Sequence, residues 1–247
     1  MADWNDTSRN AQRLGSVPRA GGDVAGRVSY DEGLRKYMLS IYNYMTSGVL
    51  LTGIVALGAA TTGIAYAFAS GPLMWIVALA PLGFVLAMSF GLNRMSQGTL
   101  QALFWSFAFV MGLSMSTIFL VFTGESIATT FFATAGAFAG LSLYGYTTKK
   151  DLSGFGTFLI MGLFGLIIAS LLNLFLQSGT LALVISIVGV LIFAGLTAWD
   201  TQRLKEQYSY VRGTEMMGKV VIMGALNLYL DFINMFMFLL RFLGNRE

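Results

Sequence analysis

The stretch Val220–Leu243, VVIMGALNLYLDFINMFMFLLRFL, decides how the chain reads, because a single acidic residue, Asp231, interrupts a segment otherwise composed to sit in lipid. On a helical projection Gly224, Asn227, Asp231, Asn234 and Phe238 fall on one narrow stripe, and Tyr229, Ile233, Phe236 and Leu240 fall on the opposite side. The segment is expected to have an inside and an outside. An ionised carboxylate at mid-membrane depth costs about 2.5 kcal/mol or more, so such a group is expected to face a cavity or a partner and to mark a functional pathway.

The surrounding composition fits a polytopic membrane protein. Of 247 residues 56% are hydrophobic and 11% charged, and the mean hydropathy is +0.71. Residues 37–93 contain no Asp, Glu, Lys or Arg, a length sufficient for two crossings at about 20 residues each. Seven apolar segments are expected, near 40–69, 73–92, 98–122, 126–146, 154–177, 181–204 and 220–243. Short turns such as Gly124-Glu125-Ser126 and Gln177-Ser178-Gly179-Thr180 separate some of them, so sequence neighbours should pack antiparallel. Glycine-rich runs, Gly58-Ala59-Ala60 and Gly136-Ala137-Phe138-Ala139-Gly140, suggest close helix packing.

The cations set an orientation. Thirteen of the fifteen Lys and Arg lie in the first 36 residues, at Arg203, or in the connections 93–98, 147–153 and 204–219, whereas the opposite short loops carry none. The positive-inside bias makes the N-terminus cytoplasmic, with residues 1–36 a flexible tail and 37–247 the membrane domain. No apolar core of a signal peptide precedes Tyr37. Seven crossings leave Arg241 and Arg246 outside, unless the final segment dips in and returns. The scattered charges argue against a nucleic-acid partner despite a pI near 9.2. With no Cys and no His, the chain has no disulfide, thiol nucleophile or ordinary zinc site. Any metal would be a hard, oxygen-bound cation such as Ca2+, and no cofactor is expected.

Few ionisable residues remain near the membrane: Asp231, Asp200 in Trp199-Asp200-Thr201-Gln202-Arg203, and Arg94. Two aspartates on consecutive helices, held together, would share a proton, titrate as a unit and, when both are ionised, accept a cation. Depth opposes the pairing: counted from Leu181, Asp200 comes about 30 Å along its helix, at the surface, while Asp231 is near the middle. The alternatives are Asp200 paired with Arg203 at the interface and Asp231 hydrogen-bonded, as a protonated acid, to Asn227 or Asn234. An intramembrane aspartyl protease is disfavoured because Leu228-Tyr229-Leu230 precedes Asp231, where such proteases resemble Gly-x-Gly-Asp; the chain is not expected to be an enzyme.

Leu228-Tyr229-Leu230-Asp231-Phe232-Ile233-Asn234-Met235-Phe236, continuing to Leu239-Leu240-Arg241, resembles the last-helix signature of the Bax inhibitor family in its bacterial branch. Asp200-Thr201-Gln202-Arg203, Ser106-Phe107-Ala108-Phe109-Val110 and Lys149-Lys150-Asp151-Leu152-Ser153 resemble further motifs, in the family's order. The resemblance implies an all-α, seven-transmembrane-helix bundle with the last helix central, in a bacterial inner membrane. It also implies a di-aspartyl pH sensor at Asp200 and Asp231, with Arg94 as a latch to the first. The implied function is a pH-sensitive calcium leak; for some bacterial members it is instead binding and restraint of a membrane-embedded ATP-dependent protease. Relatives can carry several cations where this chain has the lone Arg94, which leaves Arg203 as the other candidate latch. Self-association is left open.

Overall fold

The computed structural model describes residues 20–69 and 73–245. All regular structure among them is helical: α1 (Ala20–Thr61), α2 (Ile64–Ala69), α3 (Leu73–Gly91), α4 (Gln97–Met115) followed by a 3₁₀ turn (Ser116–Leu120), α5 (Gly124–Thr147), α6 (Ser153–Leu176), α7 (Gly179–Val211) and α8 (Met216–Leu243). The chain divides into two units, Met1–Tyr37 and Met38–Glu247, and the helical bundle belongs to the second. Residues 20–36 are helical, where the sequence suggests a flexible tail; Glu32, Leu34, Arg35 and Lys36 are good helix formers, and hydropathy alone does not register that. The rest of the expected tail lies outside the described residues.

Six helices are long and apolar enough to cross a membrane, and a shorter apolar helix covers Trp75–Gly91. The seven apolar segments of the sequence therefore correspond to helices, with one subdivision. Residues 40–69 break at Thr62-Gly63, where Thr61 and Thr62 hydroxyls donate back to the Leu57 and Gly58 carbonyls and Gly63 turns the chain at φ 78°.

Hydrogen bonds between connections sort the helix ends. At one end, Lys219 Nζ donates to the Leu92 carbonyl at 3.4 Å, and Gln202 on α7 reaches the α5–α6 elbow. At the other, Thr123 N–H donates to the Asn245 carbonyl at 3.2 Å, and Asn245 N–H to Ser126 Oγ at 3.0 Å. Helix α8 is uninterrupted over 28 residues and joins the two ends, so it does not dip and return. Arg241 therefore sits at the end opposite the basic connections.

Helix α8 is the centre of the bundle. Its apolar stretch is 67% buried against 11% for α6, and it packs on α4, α5 and α7. The face expected to look outward is also buried: Tyr229, Ile233, Phe236 and Leu240 all lie in the core. Tyr229 sits edge-on against Phe107 and Phe104 of α4, and Phe232 meets Phe131 and Phe138 of α5. Close packing does not use the expected glycine runs, since a Cβ on Gly58, Gly136 or Gly140 would meet nothing. It uses scattered glycines instead. A Cβ on Gly145 would strike the Ala198 backbone, so α5 approaches α7 at the turn preceding Asp200.

Candidate functional site

The site forms where α7 and α8 pack as an antiparallel pair joined by residues 212–215. The turn is tight because Gly213 adopts φ 75°. Both helices run further toward it than hydropathy suggests, α7 to Val211 and α8 from Met216. Measured from the turn, Asp200 lies about 17 Å back along α7 and Asp231 about 23 Å along α8, so the two carboxylates come level. The depth objection fails because it measured each aspartate from a different origin.

The Asp200 and Asp231 side chains lie within hydrogen-bonding reach of each other. Two carboxyl groups can make such a bond only while one of them holds a proton. Both are buried, Asp200 at 9% and Asp231 at 4% exposure. Apart from the Asp200 carboxyl, no group donates to Asp231 Oδ2, which is costly inside a protein.

Arg203 is the cation whose charge acts on Asp200. Its guanidinium lies 5.4 Å from the centroid of Trp199, and that indole rests against Gly156 of α6, where a side chain would collide with the ring. A stack of Gly156, Trp199 and Arg203 thus holds the cation one turn beyond the pair. Arg94 lies elsewhere. It is exposed in the α3–α4 connection, outside the cavity described below, so the implied latch to Asp200 is not formed in this structure. Asn234 does not bind the aspartate through its Nδ2 either: that group donates to the Leu230 carbonyl of its own helix at 2.8 Å.

Helices α6 and α8 both flank α7, and a cavity of about 1140 Å3 runs along α7 between them. Asn227, Asp231, Asn234 and Phe238, the stripe seen in the sequence, line its α8 side. Gly224 is the exception, since it packs against Leu204 and Ile41. Ser170 and Asn173 of α6 and Ser186 of α7 extend the polar lining toward the α6–α7 turn. The charged residues around the cavity are Asp200, Asp231, Arg203 and Arg241.

At the basic end, the elbow between α5 and α6 is held against α7 next to the pair. Gln202 Oε1 accepts from Leu152 N–H and its Nε2 donates to the Lys150 carbonyl, both at 2.8 Å. Lys205 Nζ donates to the Tyr146 carbonyl at 2.7 Å and lies over the Tyr146 ring. Within the elbow, Asp151 Oδ1 accepts from Ser153 N–H at 2.8 Å, and this backbone bond holds the Asp151 carboxyl below the usual carboxylate range. Gln202 and Lys205 went unnoticed in the sequence because each bonds to main-chain atoms, which no residue pattern reveals. The hint for Gln202 was its place in the Asp200-Thr201-Gln202-Arg203 motif.

Among the described residues there is no group of three or more His, Cys, Asp and Glu that could hold a metal. Calcium takes six to eight oxygens. Two carboxyls, with the amides of Asn227 and Asn234 on the same cavity, would leave such an ion much of its water.

Comparison with known proteins agrees with the signature in α8. The family model described as inhibitor of apoptosis-promoting Bax1 matches residues 34–247. An uncharacterized protein of Rickettsia prowazekii is 49% identical over 89% of this chain and 93% of its own length. An uncharacterized protein of Caulobacter vibrioides is 44% identical over 98% of this chain and all of its own. Inner membrane protein YbhL of Escherichia coli is 45% identical over 87% of this chain and 94% of its own. With the family model covering residues 34–247, from within α1 to the end, the chain is a polytopic all-α membrane protein that belongs to the Bax inhibitor family.

Proposed function

We propose that the protein is a pH-sensitive cation leak of the bacterial inner membrane, gated by Asp200 and Asp231, with Ca2+ among the ions it passes. The name of the Escherichia coli relative supports the location. The observation that carries the reading is the close carboxyl pair between α7 and α8, beside a long cavity with a polar stripe.

The shared proton ties α7 to α8. As pH rises and that proton leaves, two carboxylates face each other, and at an effective dielectric of 20 charges about 4 Å apart repel by about 4 kcal/mol. Arg203 offsets part of this. The helices part at that level, and the same two charges draw a cation from the cavity. Leak therefore increases with pH and falls when the pair is fully protonated. Asn at position 231 would donate an amide N–H to Asp200 at every pH and imitate the tied state. The protein's side chains carry no bond-making chemistry in this account.

The test is Ca2+ uptake into proteoliposomes across a pH series. Wild type is expected to show uptake that rises with pH, and Asp231→Asn uptake that is low and flat. An Asp231→Asn protein with the wild-type pH profile contradicts the proposal.

A further inference from the structure

Arg203 has two neighbours within reach on its own helix. Asp200 precedes it by three residues and Trp199 by four, and both spacings bring side chains together on a helical face. The guanidinium lies over the ring, 5.4 Å from the Trp199 centroid. Its charge acts on Asp200, yet among the described residues no hydrogen bond or ion pair joins the two side chains. A free guanidinium favours the carboxylate, where its planar fork makes two parallel charge-assisted bonds. The stack on Trp199 withholds it from that position.

Helix α6 fixes the ring. The indole rests on Gly156, where any Cβ would collide with Cδ2, Cε2 and Nε1 of the ring. One turn earlier on α7, Leu159 and Phe155 of α6 close on Gly195, and a Cβ there would come within 2.6 Å and 3.0 Å of them. One turn later, Gln202 holds the Leu152 N–H and the Lys150 carbonyl. The start of α6 is thus pinned to α7 on both sides of Trp199. Trp199, Asp200, Arg203 and Asp231 all border the same cavity, so the indole stands beside the carboxyl pair.

The other titratable and charged groups on the helices packed against α7 are engaged elsewhere or distant. Helix α6 has no titratable side chain. On α8, Tyr229 bonds Thr52 and Lys219 bonds the Leu92 carbonyl, and Arg241 is ten residues, about 15 Å, beyond Asp231. From α5 and its elbow come Tyr146, Lys149, Lys150 and Asp151; Lys205 of α7 is turned to Tyr146, and Asp151 accepts from Ser153 N–H. Arg203 is the cation that competes with Asp231 for the Asp200 oxygens.

We propose that Trp199 is a positioning residue: braced by Gly156, its indole holds Arg203 off Asp200 and so leaves Asp200 to Asp231. The inference rests on the carboxyl pair being the gate of the leak, and it names what keeps a neighbouring cation from taking one member of that pair. Displacing the start of α6 frees the indole and hands Asp200 to Arg203.

The experiment follows the carboxylic acid C=O band by infrared spectroscopy across a pH titration of the full-length protein in phosphatidylcholine nanodiscs. Trp199→Leu brings the cation onto Asp200 and Arg203→Gln removes it, so the two should move the titration midpoint in opposite senses, Trp199→Leu by about one pH unit or more. The shift should vanish in the Arg203→Gln background, the double variant titrating like Arg203→Gln alone. Trp199→Phe, which keeps an aromatic face, should show less than half of the shift. No shift in Trp199→Leu, a shift in the sense of Arg203→Gln, or a shift that persists without Arg203 overturns the proposal. Should Trp199→Leu not fold, Arg203→Lys at this exposed position decides. An ammonium lacks the planar face that stacks, so it should pair with Asp200 and move the midpoint opposite to Arg203→Gln; no shift, or a shift in the same sense, overturns the proposal. Wild-type Ca2+ uptake tests the leak separately. Without pH-dependent uptake but with these band shifts, the leak falls and the positioning stands; with uptake and without the shifts, only this inference falls.

Discussion

Tyr229 and Asp231 stand two residues apart on α8 and live in opposite environments. Tyr229 is fully buried and satisfied: its hydroxyl is 2.6 Å from Thr52 Oγ1 on α1, which donates in turn to the Ala108 carbonyl of α4 at 2.8 Å. Asp231 is nearly as buried, yet it borders a cavity, and one of its oxygens meets no donor apart from the Asp200 carboxyl. One face of the helix spends its polar group on holding three helices together, and the other leaves a polar group incompletely satisfied. The two residues differ in how their polar groups are satisfied, since exposure alone does not separate them.

The largest effect that would sharpen this contrast is Tyr229→Ala. Removing a ring packed on Phe104 and Phe107 should cost about 3–5 kcal/mol, read as a loss of folded, monodisperse protein on heating in detergent. Asp231→Asn should change thermal stability far less while abolishing the pH dependence of uptake; a stability loss as large as that of Tyr229→Ala would break the comparison. Next comes Gln202→Leu, which removes both bonds to the elbow, worth about 1 kcal/mol each. Limited proteolysis at Lys149 and Lys150 should accelerate, with the pH dependence of uptake preserved. Tyr229→Phe should then cost about 1 kcal/mol, since Thr52 keeps its bond to Ala108.

Asp151→Ala should have the smallest effect. Its carboxyl is held below the usual range by a bond made only in the folded state, so its contribution is present at neutral pH and disappears as pH falls through that lowered value. Thermal melts of wild type and Asp151→Ala should differ slightly at neutral pH and converge in acid.

Hydropathy and helical period made the seven apolar segments and the Asn227, Asp231, Asn234, Phe238 stripe legible, because lipid demands long apolar runs and a polar group among them must find a cavity. The ends of α7 and α8 were not legible by the same measure. Gln202 through Gln207 is charged and polar, which hydropathy scores as a connection, although Gln, Arg, Leu, Lys and Glu all favour helix. That misplaced end is what put Asp200 out of reach of Asp231. The choice between Arg94 and Arg203 depended on the flat contact of Trp199 with Gly156, two residues far apart in sequence. The packing glycines were obscured for a related reason. Gly136 and Gly140 form the more conspicuous run, but a glycine matters only where another chain segment arrives, as Ala198 does at Gly145.

The account depends most on one proton held jointly by Asp200 and Asp231. Infrared difference spectroscopy of the carboxylic acid C=O stretch, on purified protein titrated from acid to alkaline pH, observes that proton directly. Wild type should lose a protonated carboxyl band as pH rises, and replacing either Asp200 or Asp231 by Asn should remove or displace that band. If Asp200→Asn leaves the band of Asp231 at its wild-type frequency and titration midpoint, the two groups do not share a proton and the gate has no basis.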